Sequence, residues 1–115
     1  MRRLLTVSGN AFPGKRYHLR YLDLFVEDLG KIVDYISHEL ENPAAADKLV
    51  NAVEEAIHQR SSCAEAFEQY PSKRDRQYPY YRIYVQNYTI FYVVIGDVME
   101  VRRILYSRRD LNEHI

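Results

Sequence analysis

The amino-acid sequence predicts a small α+β domain: one strand, an antiparallel helical hairpin, and a three-stranded antiparallel meander whose sheet packs on the helices. Three observations predict it. The chain has 115 residues, which is a single-domain length. Apolar residues recur at three-to-four spacing in the first half, and they alternate or run continuously near the end. We therefore predict an N-terminal arm at residues 1–16 and one domain at residues 17–115.

The first half of the chain predicts a short strand and two helices. Residues 17–21 alternate and are rich in aromatic side chains, which is typical of a strand. Asp23 is the candidate N-cap of a helix of about five turns that ends near Leu40. Asn42 can cap the second helix, and Pro43 suits its first turn. Because the linker is so short, the two helices are expected to be antiparallel.

The second half predicts a polar loop over residues 61–79 followed by three strands. Residues 87–88 and residues 96–97 are the candidate turns, and the second has the glycine-first pattern of a two-residue hairpin. The middle strand is almost wholly apolar, as expected for a strand buried on both faces. The helices cover only one face of the sheet, so we expect the other face to be open for binding. The predicted strands are 81–86, 89–95 and 98–106.

Charge is balanced in total but not along the chain. Residues 1–22 contain five basic and no acidic side chains. Residues 23–68 contain eleven acidic and three basic ones, whereas residues 73–109 contain eight basic and three acidic ones. The acidic residues either simply solvate the helices or form the back of a molecule whose basic face binds a partner.

The sequence has none of the motifs that mark metal or cofactor chemistry. Cys63 is the one cysteine, so an intramolecular disulfide and a cysteine-rich zinc site are excluded. The four histidines are scattered, and the four glycines form no phosphate-binding loop. No apolar run approaches the roughly 20 residues that span a bilayer. We expect no metal, no cofactor, no membrane partner and a cytoplasmic location.

The last predicted strand carries two adjacent arginines. Strict alternation places Arg102 on the same face as Ile104 and Tyr106. Arg103 then points to the opposite face, together with Leu105. The guanidinium groups of Arg102 and Arg103 are therefore predicted to lie on opposite faces of the sheet.

Arg82 lies in the middle of its strand and shares a face with Tyr84. An arginine at such a position loses hydration unless it is paired or lines an open cleft. One interpretation is that Arg82 and Arg103 each pair with a helix carboxylate such as Glu54 or Glu55. The other is a concave basic patch with aromatic walls, which suits a nucleic-acid backbone and its unpaired bases.

Several short stretches, in this order, resemble the RelE/ParE superfamily of toxins from type II toxin–antitoxin systems. The resemblance covers about residues 17–110 and implies the β-α-α-β-β-β order predicted above. The matching stretches are Asp28-Leu29 with Ile32 and Tyr35-Ile36, Asn42 to Ala45, Tyr81 to Ile83, Asn87 to Tyr92, and Arg103 to Asp110.

The resemblance implies a toxin that a cognate antitoxin holds inactive, and a toxin–antitoxin complex that binds operator DNA. RelE-like members cut ribosome-bound mRNA without a metal, whereas ParE-like members bind and inhibit DNA gyrase. We favour the ribosome-dependent mRNA endonuclease and keep the gyrase inhibitor as the alternative. A plain RNA-binding module is a third interpretation, outside the family.

The resemblance also implies the catalytic residues. Arg82 matches the sheet arginine that contacts the scissile phosphate, and Arg103 lies near a second phosphate-stabilising position. Tyr106 lies where such enzymes place a histidine or tyrosine, and Glu65 or Glu68 would stand in for the carboxylate base of one branch. The residues expected to hold the RNA are Lys73, Arg74, Arg76, Arg108 and Arg109.

Overall fold

The computed structural model describes residues 16–71 and 77–108. They form the predicted α+β fold, with the two helices packed on a four-stranded sheet of order β1-β4-β3-β2. β1 runs parallel to β4, and the other neighbours are antiparallel. The elements are β1 (His18–Tyr21), α1 (Asp23–Asp34), a π-helical segment (Tyr35–Glu39), α2 (Pro43–Arg60), β2 (Tyr81–Val85), β3 (Tyr88–Ile95) and β4 (Val98–Tyr106).

The main core lies between the helices and the sheet. From the helices, Phe25, Leu49, Val53 and Ile57 are at most 4% exposed. The sheet contributes the alternate side chains that face the helices, as the period of two along a strand requires. These are Tyr81, Ile83, Val85, Ile90, Tyr92, Met99, Val101 and Ile104. None of the helices in the described part of the chain is long and apolar enough to cross a membrane.

The ends of the helices differ in part from the prediction. Leu22, not Asp23, is the N-cap of α1, because Leu22 is extended and its N–H still donates to Val101 of β4 at 3.0 Å. The predicted cap of α2 is confirmed, since Asn42 Oδ1 accepts from the N–H of Ala45 at 3.1 Å. The first helix does not run uniformly to its end, because it changes to the π-helical segment before Glu41 takes φ 50°.

We expected the second face of the sheet to be open, but it is open along only part of its length. Tyr80 packs there on Phe91, Val93 and Leu105, and all four are buried. Tyr70 and Tyr78 pack against this cluster as well. The polar loop therefore also covers apolar strand residues, because the middle strand is apolar on both faces.

Two local features shift the predicted register. The turn between β2 and β3 is at Gln86–Asn87, where Gln86 has φ 54°, rather than at residues 87–88. In β4, Phe91 pairs with Arg103 and Tyr92 pairs with Val101, so Arg102 is the extra residue of a β-bulge. The prediction that side chains alternate strictly along the last strand was therefore wrong.

The bulge changes which side chains share a face. Ile104 joins Val101 in the core against the helices, while Leu105 joins Phe91 on the other face. Arg102 therefore does not share a face with Ile104, contrary to the sequence prediction. A bulge adds one residue to one strand, which reverses the alternation beyond it.

Of the predicted arm, the structure describes Arg16 alone. Its Nη1 donates to the His58 carbonyl at 3.1 Å and to Ser61 Oγ at 2.8 Å. The next residue, Tyr17, donates its N–H to the Ser61 carbonyl at 2.8 Å. These bonds fix the chain at the C-terminal end of α2 immediately before β1 begins. Residues 1–15 lie outside the described part of the chain.

Candidate functional site

Arg82 lies on the face of the sheet that points away from the helices. It pairs in the register with Phe91, whose side chain belongs to that face. Its guanidinium is 5.1 Å from the ring centre of Tyr70 and 5.7 Å from that of Tyr84. Within the described residues no carboxylate pairs with Arg82, so a helix carboxylate is not its partner there. Because Tyr84 is 64% exposed, Arg82 is a cation beside an accessible aromatic ring.

A buried carboxylate organises two further arginines on the same face. Glu100 is 6% exposed and accepts hydrogen bonds from Arg20 Nε and Arg102 Nε, both at 2.8 Å. Burial acts to raise the pKa of Glu100, but the bonds from Arg102 and Arg20 outweigh it and lower the pKa. The Arg102 guanidinium also lies 5.9 Å from the ring centre of Tyr80. Two arginines on one carboxylate leave this part of the face with a net positive charge.

Arg103 forms an ion pair with a carboxylate of α1. It donates from Nε and Nη2 to the two oxygens of Asp28 at 2.8 and 3.0 Å. Asp28 Oδ2 also accepts from the N–H of Ile104 at 3.2 Å. The hydrogen bond to Asp28 is the main reason that the pKa of Arg103 is raised. The pairing interpretation therefore holds for Arg103, with Asp28 as the carboxylate rather than Glu54 or Glu55.

Tyr106 lies on the opposite face from Arg82. It is two residues beyond Ile104, whose side chain points to the helices, and it pairs with Tyr88. The two rings are 5.8 Å apart in a T-shaped contact. Burial, then Tyr106, then Tyr35 raise the pKa of Tyr88. We call Tyr35, Tyr88 and Tyr106 the tyrosine surface; Tyr35 is 54% and Tyr106 is 38% exposed.

Arg60 is a structurally important arginine that the sequence analysis did not select. Its Nη1 donates to the Arg82 carbonyl at 3.1 Å and to the Tyr92 hydroxyl at 2.9 Å. The Tyr92 hydroxyl in turn donates to the Ala64 carbonyl at 2.6 Å, and the Arg60 guanidinium lies 3.5 Å from the ring centre of Phe67. No local pattern marks this role, because the contacts join residues far apart in the chain.

The remaining predicted residues are less informative. Glu65 accepts from the Tyr17 hydroxyl at 2.6 Å, and this hydrogen bond is the main reason that the pKa of Tyr17 is raised to about 12. Glu68 is exposed, as is Arg108 just beyond β4. Lys73, Arg74, Arg76 and Arg109 lie outside the described residues. Within residues 16–71 and 77–108, no group of three or more potential metal-ligating side chains occurs.

The sequence matches one protein-family model, described as the ParE toxin of the type II toxin–antitoxin system parDE, over residues 19–111. The chain belongs to this family. The resemblance to the RelE/ParE superfamily is therefore confirmed. None of the curated proteins with which the sequence was compared is similar to it.

Two solved structures are similar to this ParE-family chain, and the first of them shares its fold. One is the chromosomal ParDE toxin–antitoxin system from P. aeruginosa, at 20% identity and a TM-score of 0.63, covering 77% of this chain and 94% of that one. Another is the RelB–RelE antitoxin–toxin complex from Methanococcus jannaschii, at 24% identity and a TM-score of 0.45. It covers 84% of this chain and 98% of that one.

The ParE-family fold places Arg82 and Arg103 on the same face of the sheet, since both pair with Phe91, and it places Tyr106 on the other face. Arg82 shares its face with Arg20 and Arg102, and we call these three the arginine face. Arg103 lies in its ion pair with α1, and Tyr106 belongs to the tyrosine surface on the other side of the sheet. The three residues predicted for catalysis thus have three different environments.

Proposed function

We propose that this ParE-family toxin inhibits DNA gyrase by binding it and does not cut RNA. The observation that carries the proposal is the position of Arg82 and Tyr106 on opposite faces of the sheet. Catalysis of RNA cleavage needs a phosphate-stabilising cation and a proton-transfer group around one phosphate. A sheet between the two side chains is poorly suited to that chemistry.

The ion pair of Arg103 supports the same proposal. A guanidinium that stabilises a developing phosphorane needs free N–H groups directed at the phosphate. Two N–H groups of Arg103 are bound by Asp28, and its side chain is only 18% exposed. Its remaining N–H groups belong to a largely buried side chain whose charge Asp28 already neutralises. Its arrangement is better explained as a link between α1 and β4.

The tyrosine surface is the part of the molecule best suited to bind a protein. Tyrosine is enriched at the centres of protein interfaces, because its ring gives a large apolar area and its hydroxyl forms hydrogen bonds. Tyr35 and Tyr106 are both substantially exposed. Tyr35 begins the π-helical segment that follows α1, and Tyr106 is the last residue of β4. We assign this surface to the contact with gyrase.

We also propose a cognate antitoxin as a partner of this chain. The matching family consists of toxins from toxin–antitoxin systems, and the P. aeruginosa structure comes from such a system. The arginine face has a net positive charge, so an acidic segment of the antitoxin would complement it. Binding to operator DNA is proposed for the complex of both proteins, as the superfamily resemblance implies.

One observation favours the RelE-like nuclease as a second candidate. Arg82 has an exposed aromatic neighbour in Tyr84, and it pairs with no carboxylate in the described structure. A cation beside an open ring can bind a phosphate while a base stacks on the ring. In this candidate function Arg82 would contact ribosome-bound mRNA, with Lys73, Arg74, Arg76, Arg108 and Arg109 along the backbone.

A paired experiment tests the two functions. Purified toxin is titrated into a gyrase supercoiling assay, and cellular mRNA is mapped by primer extension soon after the toxin is induced without antitoxin. We expect loss of supercoiling activity and intact mRNA, with Arg82→Ala as inhibitory as the wild type. Unchanged supercoiling at toxin excess, together with in-frame mRNA cuts that disappear in Arg82→Ala, would replace gyrase inhibition with the nuclease.

A further inference from the structure

The two edges of the sheet differ in how their backbone groups are satisfied. At the β2 edge, the N–H of Tyr70 donates to the Tyr80 carbonyl at 2.6 Å, and Gln69 forms a bridge with Tyr81. The Arg60 guanidinium binds the next outward carbonyl, that of Arg82. A loop and a side chain therefore cover the start of this edge, from Tyr80 to the Arg82 carbonyl, which is how proteins commonly protect edge strands.

The β1 edge carries no such cover within the described residues. His18 donates its N–H to the Asp97 carbonyl at 2.8 Å, and Leu22 donates to that of Val101 at 3.0 Å. Because alternate residues of a parallel strand bond to the same neighbour, the N–H and C=O groups of Leu19 and Tyr21 point outward. No hydrogen bond within residues 16–71 and 77–108 reaches these four groups. They form a template for one more strand.

A groove of about 490 Å³ lies between this edge and α2. Leu19 and the partly exposed Tyr21 give it an apolar wall, whereas the α2 wall is acidic. Tyr21 and Glu54 both line the groove, and burial and then the Glu54 carboxylate raise the pKa of the Tyr21 hydroxyl. The lining residues are Leu19, Tyr21, Asn51, Glu54, Glu55 and His58.

We propose that the β1 edge binds an extended segment of a partner protein that carries lysine or arginine at alternate positions. Such a segment would pair with the outward groups of Leu19 and Tyr21 as a fifth strand. Every second side chain would then enter the groove, with its aliphatic stem on Tyr21 and its cationic end near Glu54 and Glu55. Charge complementarity therefore selects a basic segment here, in contrast to the acidic segment that the arginine face would select.

The side chains on the other face of the added strand would meet a different environment. His18 is 77% exposed there, and Arg20 is 51% exposed although it binds Glu100. Lysine directly opposite Arg20 would be repelled, because like charges on neighbouring strands destabilise pairing. The partner segment is thus expected to be basic at alternate positions only, with neutral or acidic residues between them.

The test uses the full-length protein and two synthetic octapeptides, one alternating lysine with valine and the other alternating glutamate with valine. We expect the lysine peptide to bind more tightly and to slow amide hydrogen exchange at Leu19 and Tyr21 by about tenfold or more. Equal affinity for both peptides would overturn the proposal. So would exchange that the lysine peptide leaves unchanged at these two amides.

Two charge variants make the test specific. Glu54→Gln combined with Glu55→Gln is expected to weaken lysine-peptide binding by about fivefold, since two exposed ion pairs are lost. The matched control, Glu27→Gln combined with Asp34→Asn on α1, removes the same charge and is expected to bind like the wild type. Equal weakening in both double variants would reduce the effect to net charge and overturn the proposal. Leu19 and Tyr21 amides already protected in the isolated protein would do the same.

Discussion

Asp28 and Arg103 hold α1 against the C-terminal half of β4. The carboxylate accepts two hydrogen bonds from the guanidinium, at 2.8 and 3.0 Å, and a third from the N–H of Ile104 at 3.2 Å. β1 ends at Tyr21, so within the described residues β4 has no strand neighbour on that side beyond Val101. Asp28 therefore takes the place of a missing strand at this point of the sheet edge.

Asp28→Ala is expected to lower the free energy of unfolding by about 3 kcal/mol, because Arg103 and the Ile104 N–H lose their acceptor while largely buried. The side chain of Asp28 is 12% exposed and that of Arg103 is 18% exposed, so water replaces the lost hydrogen bonds only in small part. Urea unfolding followed by circular dichroism gives the value.

The matched control for this ion pair is the contact between His18 and Asp97, whose side chains are 77% and 55% exposed. Asp97→Ala is expected to cost well under 1 kcal/mol from loss of that pair, because exposed pairs contribute little. Equal effects of Asp28→Ala and Asp97→Ala would contradict the role given to Asp28.

Glu100 gives the protein a pH-dependent contribution to stability. Its pKa in the folded state is lowered from 4.5 by bonds from Arg102 and Arg20 that outweigh burial. A lowered folded-state pKa stabilises the fold above pH 4.5, and this contribution disappears as the pH falls through the folded-state value. Glu100→Gln is therefore expected to cost about 2 kcal/mol at pH 7 and progressively less below about pH 4.5.

Urea unfolding of the wild type and Glu100→Gln between pH 7 and pH 3 measures this convergence. Glu27→Gln on the exposed side of α1 serves as the control and is expected to match the wild type at pH 7. A difference between Glu100→Gln and the wild type that stays constant down to pH 3 would show that the carboxylate charge is not what stabilises this site.

Arg60 is expected to be as important for the β2 edge as Asp28 is for β4. It binds the Arg82 carbonyl and the Tyr92 hydroxyl, and it stacks on Phe67. Arg60→Ala is expected to cost about 2–3 kcal/mol and to speed amide exchange in β2. Arg60→Lys is expected to recover less than half of the lost stability. An ammonium group does not stack on an aromatic ring as a planar guanidinium does, and it lacks the guanidinium's paired N–H donors. Full recovery by lysine would show that charge alone suffices.

The order of elements could be predicted because each depends on local patterns. The cap at Asn42, the glycine-first turn at Gly96 and the apolar run of β3 are all set by neighbours in the sequence. The bulge at Arg102 was not predictable in this way, since it depends on how β4 pairs with β3. One extra residue in the pairing was enough to change the faces of the side chains that follow.

The candidate site depends more on tertiary contacts than the fold does. Arg103 was recognised as either paired or functional, but its partner Asp28 is 75 residues away in sequence. Arg60 was not recognised at all, because its contacts with Arg82 and Tyr92 span the polar loop. The sequence therefore shows which residues carry a positive charge. Only the packing of α1 and α2 on the sheet shows which of these cations are hydrogen-bonded within the fold.

The tyrosine surface gives the most direct test of the proposed contact with gyrase. Tyr35→Ala combined with Tyr106→Ala is expected to raise the toxin concentration for half-inhibition of supercoiling by tenfold or more, since interface tyrosines often contribute about 1–2 kcal/mol each. Tyr84→Ala removes a more exposed ring, beside Arg82 on the arginine face, and is expected to inhibit gyrase like the wild type. Unfolding curves confirm that each variant is folded. If Tyr84→Ala loses inhibition while the double variant retains it, gyrase contacts the arginine face instead.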